Sequence, residues 1–140
     1  MKWLIWFSMF AALAAYADLA HAEWKKQDIA MEVLWQGLHV VDTIQTINIA
    51  KDSEDHHPWR HDYEELNPLL GKNPTVKEAA IYMGASALVH LGASYLLKDV
   101  EPFEVFGISI DPMRLHQSIT LGITSGCVEN NIAVGVKIGF

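Results

Sequence analysis

Hydrophobic and polar positions fall in blocks along this chain. Behind Met1-Lys2 runs an apolar stretch from Trp3 to Ala17. Ala20-His21-Ala22 then sets small residues at the two positions a signal peptidase reads, ahead of Glu23. This pattern predicts a cleavable signal peptide over 1–22. The same stretch, Trp3 to Ala22, approaches the roughly 20 residues that a spanning helix needs. An uncleaved signal anchor is therefore the alternative, and Asp18, which interrupts the run, favours cleavage.

After a short charged linker at 23–28, residues 29 to 50 contain no proline and one glycine. Glu32, Gln36, His39, Asp42, Thr43 and Thr46 fall on one side of a helical wheel, with Val33, Val40, Val41, Ile44 and Ile47 opposite. That 3.6-residue period predicts an amphipathic helix. Residues 51–77 break the pattern with three prolines, three histidines and dense charge, and read as a polar loop. Asn67-Pro68 and Asn73-Pro74 are turn signals, because a proline pushes the residue before it out of the helical region. Thr75-Val-Lys-Glu78 fits a capping box and predicts a helix start.

The block from Ala79 to Leu97 has no Lys, Arg, Asp or Glu. Its nineteen residues can cross a hydrocarbon core of about 30 Å at about 1.5 Å each. Ala79, Met83, Ser86, His90, Ala93 and Ser94 share one face. A buried helix of a soluble bundle is the competing explanation. Residues 98–114, with Pro102 and Pro112, predict a second loop whose apolar part, Val105 to Ile110, can dip into a membrane interface. A last, more polar helix is expected over 115–136. Gly122 and Gly126 form a GxxxG match on it, a spacing that lets helix backbones approach closely. A rival reading of the tail is a strand. Ile132, Val134, Val136, Ile138 and Phe140 alternate with smaller or polar residues, as in the last strand of an outer-membrane barrel. Nothing upstream supplies the other strands.

Composition sharpens the picture. The 140 residues suit a single domain, read as 1–22 targeting segment and 23–140 helical domain, with the His-rich loop at 51–77. Hydrophobic residues make up 51% and charged residues 19%, with a mean hydropathy of +0.13. Those values exclude a disordered chain. The net charge of -7 argues against a nucleic-acid partner, which calls for a basic stripe. One cysteine, Cys127, excludes an internal disulfide and a cysteine-built zinc site. The charges cluster in the linker and the two loops, and that segregation favours a membrane protein. The 51–77 loop carries Lys51, Arg60, Lys72 and Lys77, against Lys98 and Arg114 in the 98–114 loop; Lys25 and Lys26 lie in the linker. The excess marks the first loop as cytoplasmic and the second as external.

Asp42-Thr-Ile-Gln45-Thr46 and Glu65-Leu-Asn67-Pro68-Leu-Leu-Gly71-Lys-Asn-Pro74 carry a resemblance. Together with Arg114-Leu-His-Gln117 and Val128-Glu-Asn130-Asn131, the pattern resembles a group of uncharacterised small polytopic membrane proteins of bacteria and their phages. The match covers roughly residues 34 to 135, and the acidic, His-rich insert at 52–62 departs from it. The resemblance implies a polytopic helical membrane fold, and no activity.

Polar side chains inside a membrane are costly and usually face partners in the bundle interior. The candidates are His39, Asp42, Gln45 and Thr46 on the first helix, His90 on the second, and His116, Gln117 and Glu129 on the third, with Glu65 and Asn67 beside them in the loop. A structural network of Asp42, Gln45, Thr46, Glu65 and Asn67 tying the loop to the first helix is the simplest expectation. His39, Asp42, Glu65, His90 and His116 are the candidate ligands of a divalent metal or members of an acid–base site. No HExxH motif supports that set, no phosphate-binding glycine loop or GxSxG is present, and no cofactor is expected. His56, His57 and His61 form a second His cluster in a solvated loop.

The sequence thus predicts an all-α, small polytopic helical membrane protein: a signal peptide or signal anchor plus about three membrane helices. Its expected place is the bacterial inner membrane, with the lipid bilayer and a second copy or an envelope protein as partners. The expected function is non-catalytic, through helix packing at Gly122 and Gly126, in a protein that a phage could encode. The alternatives are an intramembrane metal-dependent or acid–base enzyme using Asp42, Glu65 and His90, and a small soluble periplasmic helical domain.

Overall fold

A computed structural model describes residues 24–54, 67, 69–71 and 73–136. The expected signal segment, Glu65, the His56–His61 cluster and the last four residues lie outside them. Three helices carry the described fold: α1 (Lys26–Glu54), α2 (Val76–Leu97) and α3 (Pro112–Ala133). A small antiparallel hairpin of β1 (Phe103–Val105) and β2 (Ile108–Ile110) joins α2 to α3.

α1 outruns its expected bounds at both ends. The hydrophobic period fades at Ile29 and Ala50, but charge alone does not stop a helix. Asp28 in the first turn and Lys51 in the last suit the partial charges of the helix ends. α2 starts at the predicted capping box. Thr75 Oγ1 accepts from Glu78 N at 3.2 Å, and Glu78 Oε2 accepts from Thr75 N at 2.8 Å. α3 begins three residues earlier than expected. Asp111 is its N-cap, with Oδ1 accepting from Met113 N at 3.0 Å and Arg114 N at 3.2 Å, and Pro112 occupies the first turn, where no N–H partner is needed.

The 98–114 segment is where the loop expectation gives way to structure. Phe103 pairs with Ile110, Glu104 with Ser109 and Val105 with Ile108. Phe106 and Gly107 close the hairpin with φ of 51° and 78°, the positive pair that a two-residue type I′ turn requires. Glycine takes that conformation freely. For phenylalanine it costs about 1–2 kcal/mol. At the other end of α3, Ile132 and Ala133 are helical and Val134-Gly135 turn, so the alternating tail is not a strand over its described part.

Contacts fix the helix directions. Glu32 meets Ser94 while His39 meets Ser86, so α1 and α2 are antiparallel. Asp28 meets Arg114 while Asp42 meets Asn131, so α1 and α3 run the same way. The start of α1, the end of α2, the hairpin and the start of α3 therefore share one end of an up-down-up bundle. A small apolar core of Ile47, Ala50 and Ala79, backed by Val76, closes α1 on α2 near the opposite end.

Elsewhere the interior is mixed: Trp35, Ile44, Ile49, Met83, Met113 and Val128 are buried alongside a row of polar residues. Glu32, His39, Gln45, His90, Ser94 and Gln117 are buried, whereas Val33 and Leu34 of α1, Val89 and Leu96 of α2, and Ile119 and Ile123 of α3 are exposed. Among the described residues, α2 alone is long and apolar enough to cross a membrane, and only 17% of its apolar window is buried. α1 and α3 do not reach that threshold, because each carries a row of polar residues. Part of that row faces inward, as Glu32, His39, Gln45, Gln117 and Thr124 do, while Ser118, Glu129 and Asn130 of α3 are exposed.

Candidate functional site: a buried polar seam

The inward row of α1 follows helical spacing. Asp28, Glu32, Trp35, His39 and Gln45 are all buried, three or four residues apart except for the last step. α2 answers with His90 and Ser94, four apart on its own inner face, and α3 with Gln117. The three helices meet at the Glu32 carboxylate, which is 0% exposed. Its Oε2 accepts from Ser94 Oγ at 3.1 Å and from His90 Nε2 at 3.2 Å, and Gln117 Nε2 stands 3.5 Å away. Its Oε1 accepts from Gln36 Nε2 at 3.0 Å. A buried charge persists only when paired and hydrogen-bonded, and here both oxygens are engaged.

Aromatic rings extend this centre sideways. Trp35 lies flat on His90, with centroids 3.5 Å apart and planes within 8°. Its other neighbour in the stack is His39, at 4.6 Å and 10°. His116 continues the column beyond His90 at 4.8 Å and 29°. Thus one stack, His39–Trp35–His90–His116, draws on all three helices. His39 Nε2 donates to Met83 O at 2.9 Å, and Ser86 Oγ donates to the same carbonyl at 2.9 Å.

Two polar clusters flank the centre. At the hairpin end, Arg114 Nε pairs with Asp28 Oδ1 at 3.1 Å, and Gln117 Nε2 donates to Asp28 O at 3.1 Å. Towards the other end, Asn131 Nδ2 donates to Gln45 Oε1 at 3.3 Å and to Asp42 Oδ1 at 3.4 Å. Thr46 is buried beside them in sequence. Asn67 Oδ1 accepts from Leu69 N at 3.0 Å, which holds the local turn after it.

The predicted site residues therefore separate into groups. His39, His90 and His116 come together as stacked rings. Asp42 does not join them: it lies ten residues beyond Glu32 on α1, a rise of about 15 Å. Asp42 and Gln45 are bridged by Asn131 of α3. Among the described residues, no group of three His, Cys, Asp or Glu side chains is placed to hold a metal ion. Stacking explains this, because ring nitrogens point their lone pairs in the ring plane, away from the stack axis. Gly122 and Gly126 lie on the outer face of α3, where an added Cβ would meet nothing within 4 Å. They take no part in packing α3 onto α1 or α2.

Glu32, Trp35 and Ser94 are central members that sequence reasoning did not single out as a site. Glu32 and Ser94 were on the correct faces. Their meeting across 62 positions has no local signature. Comparison with known protein families, with curated proteins and with solved structures finds no match.

Proposed function

We propose that this chain is a non-catalytic integral membrane protein of the bacterial envelope. Its three helices cross the inner membrane, reached through the N-terminal apolar segment. The Glu32–His90–Ser94–Gln117 seam holds them together. The observation that carries this reading is the pairing of a fully buried carboxylate and buried imidazoles inside with many large aliphatic side chains outside. In water the informative anomalies are buried polar groups and exposed apolar patches, and this bundle has both. In lipid the same arrangement is the stable one, because tails solvate the aliphatics and polar groups find partners only in the interior. It also explains why α1 and α3 carry too much polarity to look like spans when read one by one.

The outward Gly122–Gly126 face supports the second half of the reading, packing against a second copy or an envelope partner. Small residues facing lipid let another backbone approach closely. The resemblance to small polytopic proteins of bacteria and phages points the same way. Positive charge in the 51–77 segment puts that end in the cytoplasm and the hairpin outside.

Alkaline carbonate extraction tests the membrane reading directly. Retention in the pellet is the expected result, and release into the supernatant would return the chain to a soluble periplasmic domain. Cysteine accessibility at Ser109, blocked by an impermeant maleimide in intact spheroplasts, would establish the outward side of the hairpin.

A further inference from the structure

The β1–β2 hairpin is two-faced. Its register places Phe103, Val105, Ile108 and Ile110 on one face, and the Glu104–Ser109 pair on the other. Three of the four apolar residues are exposed and Ile110 is half-buried. A two-stranded hairpin is marginal in water without something over its apolar side. At the tip Phe106 is 102% exposed, held in a left-handed conformation that Asn or Gly would adopt with far less strain. A backbone outlier that presents a bare aromatic ring outward is a sign of use at that ring.

We propose that this hairpin lies in the outer membrane–water interface, with Phe103, Val105, Ile108 and the Phe106 ring seated at the headgroup–acyl boundary. The inference rests on the membrane reading of the bundle. Three observations make lipid the occupant. First, the hairpin is tied short: Asp111 alone separates it from α3, and five residues separate it from the end of α2. Each strand spans only about 10 Å, comparable with an interfacial layer of roughly 5–8 Å per leaflet. Second, the end of α2 carries an interfacial marker, with Lys98 Nζ 4.9 Å from the Tyr95 ring centroid. Tyrosine and lysine gather at that depth. Third, exposed apolar residues recur along the chain from α2 into the hairpin, at Val89, Leu96, Val100 and Phe103.

Charge defines which lipid surface. Between Lys98 and Asp111 there are four acidic residues and one lysine. Anionic headgroups therefore add no attraction, and apolar insertion drives the contact. The hairpin seats equally well on zwitterionic phosphatidylcholine.

Site-directed nitroxide labelling of the full chain in phosphatidylcholine vesicles tests this. Single cysteines are placed at Val105, Ile108, Glu104, Ser109 and Val89 in a Cys127→Ser background. Power saturation compares collisions with oxygen, which concentrates in lipid, and with a water-soluble nickel chelate. Oxygen-dominated relaxation at 105 and 108 with nickel-dominated relaxation at 104 and 109 is the expected result. Nickel dominance at all four hairpin sites would overturn the proposal, as would protection from both agents at 105 and 108, which would mean a protein cover. Position 89 on α2 separates the two failures: oxygen dominance there keeps the membrane reading even if the hairpin sites fail, and nickel dominance removes both.

Discussion

Glu32 of α1 and His90 of α2 meet at 3.2 Å across 58 positions of sequence, with the Glu32 side chain wholly enclosed. Ser94 and Gln117 complete the surroundings of the same oxygen, so this one carboxylate touches both of the other helices. Removing one partner from a buried pair strands the other, at a cost of about 3–5 kcal/mol. His90→Ala is expected to lower stability by that order, and Glu32→Ala likewise. Glu32→Gln keeps the volume and one acceptor oxygen for Ser94 and His90, removes the buried charge, and is expected to cost clearly less. Thermal unfolding of the purified protein in one detergent, followed by circular dichroism, ranks the three. If His90→Ala and Glu32→Ala were neutral, the seam would not hold the bundle.

Trp35 supplies a second test, because its ring and its N–H have different circumstances. The ring stacks on both His39 and His90, while Nε1 is buried with no hydrogen-bond partner among the described residues. Large aromatic-to-alanine changes in a core cost about 3–5 kcal/mol. An unsatisfied buried donor costs about 1–3 kcal/mol by itself. Trp35→Ala should therefore lower the melting temperature strongly, whereas Trp35→Phe keeps a stacking ring, removes the orphan donor and should recover most of the loss. Equal losses in the two variants would show that the indole N–H, not the stack, matters at this position.

How much of this was legible beforehand follows from the range of each signal. The Thr75–Glu78 box is local, four residues long, and it marks the start of α2 in the sequence and in the structure. The inner face of α2 is also a local property: Ala79, Met83, His90 and Ser94, all assigned to one face by spacing, are its buried residues. The polar face of α1 was equally visible. Which polar residue meets which partner was not, since periodicity fixes a face and leaves the axial register between helices open. Asp42 stood out through short motifs and Glu32 did not, yet Glu32 is the residue at the three-helix junction. The hairpin escaped notice because Phe106-Gly107 lacks the Asn-Gly signature of its turn type.

The two helix caps should respond alike to alanine, and far less to glycine. Thr75 and Asp111 each accept from backbone N–H groups that would otherwise lack a partner. Replacing such a cap with alanine costs about 0.5–2 kcal/mol, and replacing it with glycine only a few tenths. Asp111 also stands 3.7 Å from Arg114, an exposed contact worth little. Thr75→Ala and Asp111→Ala are expected to cost about 1 kcal/mol each. Thr75→Gly should be close to wild type. Amide exchange in the first turns of α2 and α3 locates the effect, with faster exchange confined to 76–79 or 113–115.

Gly122 and Gly126 separate folding from association. Because no described residue lies within 4 Å of an added Cβ at either position, substitution there does not disturb the packing of α3 on α1 and α2. Gly is about 0.8–1.0 kcal/mol less favourable than Ala inside a helix, so Gly122→Ala and Gly126→Ala should hold or raise monomer stability. A bulky side chain is different: Gly122→Leu fills the groove through which another helix would approach. Self-association of labelled protein in vesicles, read by energy transfer against lipid dilution, is expected to fall in Gly122→Leu while its unfolding curve stays at or above wild type. Unchanged energy transfer would move the packing surface away from this face of α3. A drop in the melting temperature as large as that of His90→Ala would mean that the outward face of α3 contacts part of its own chain.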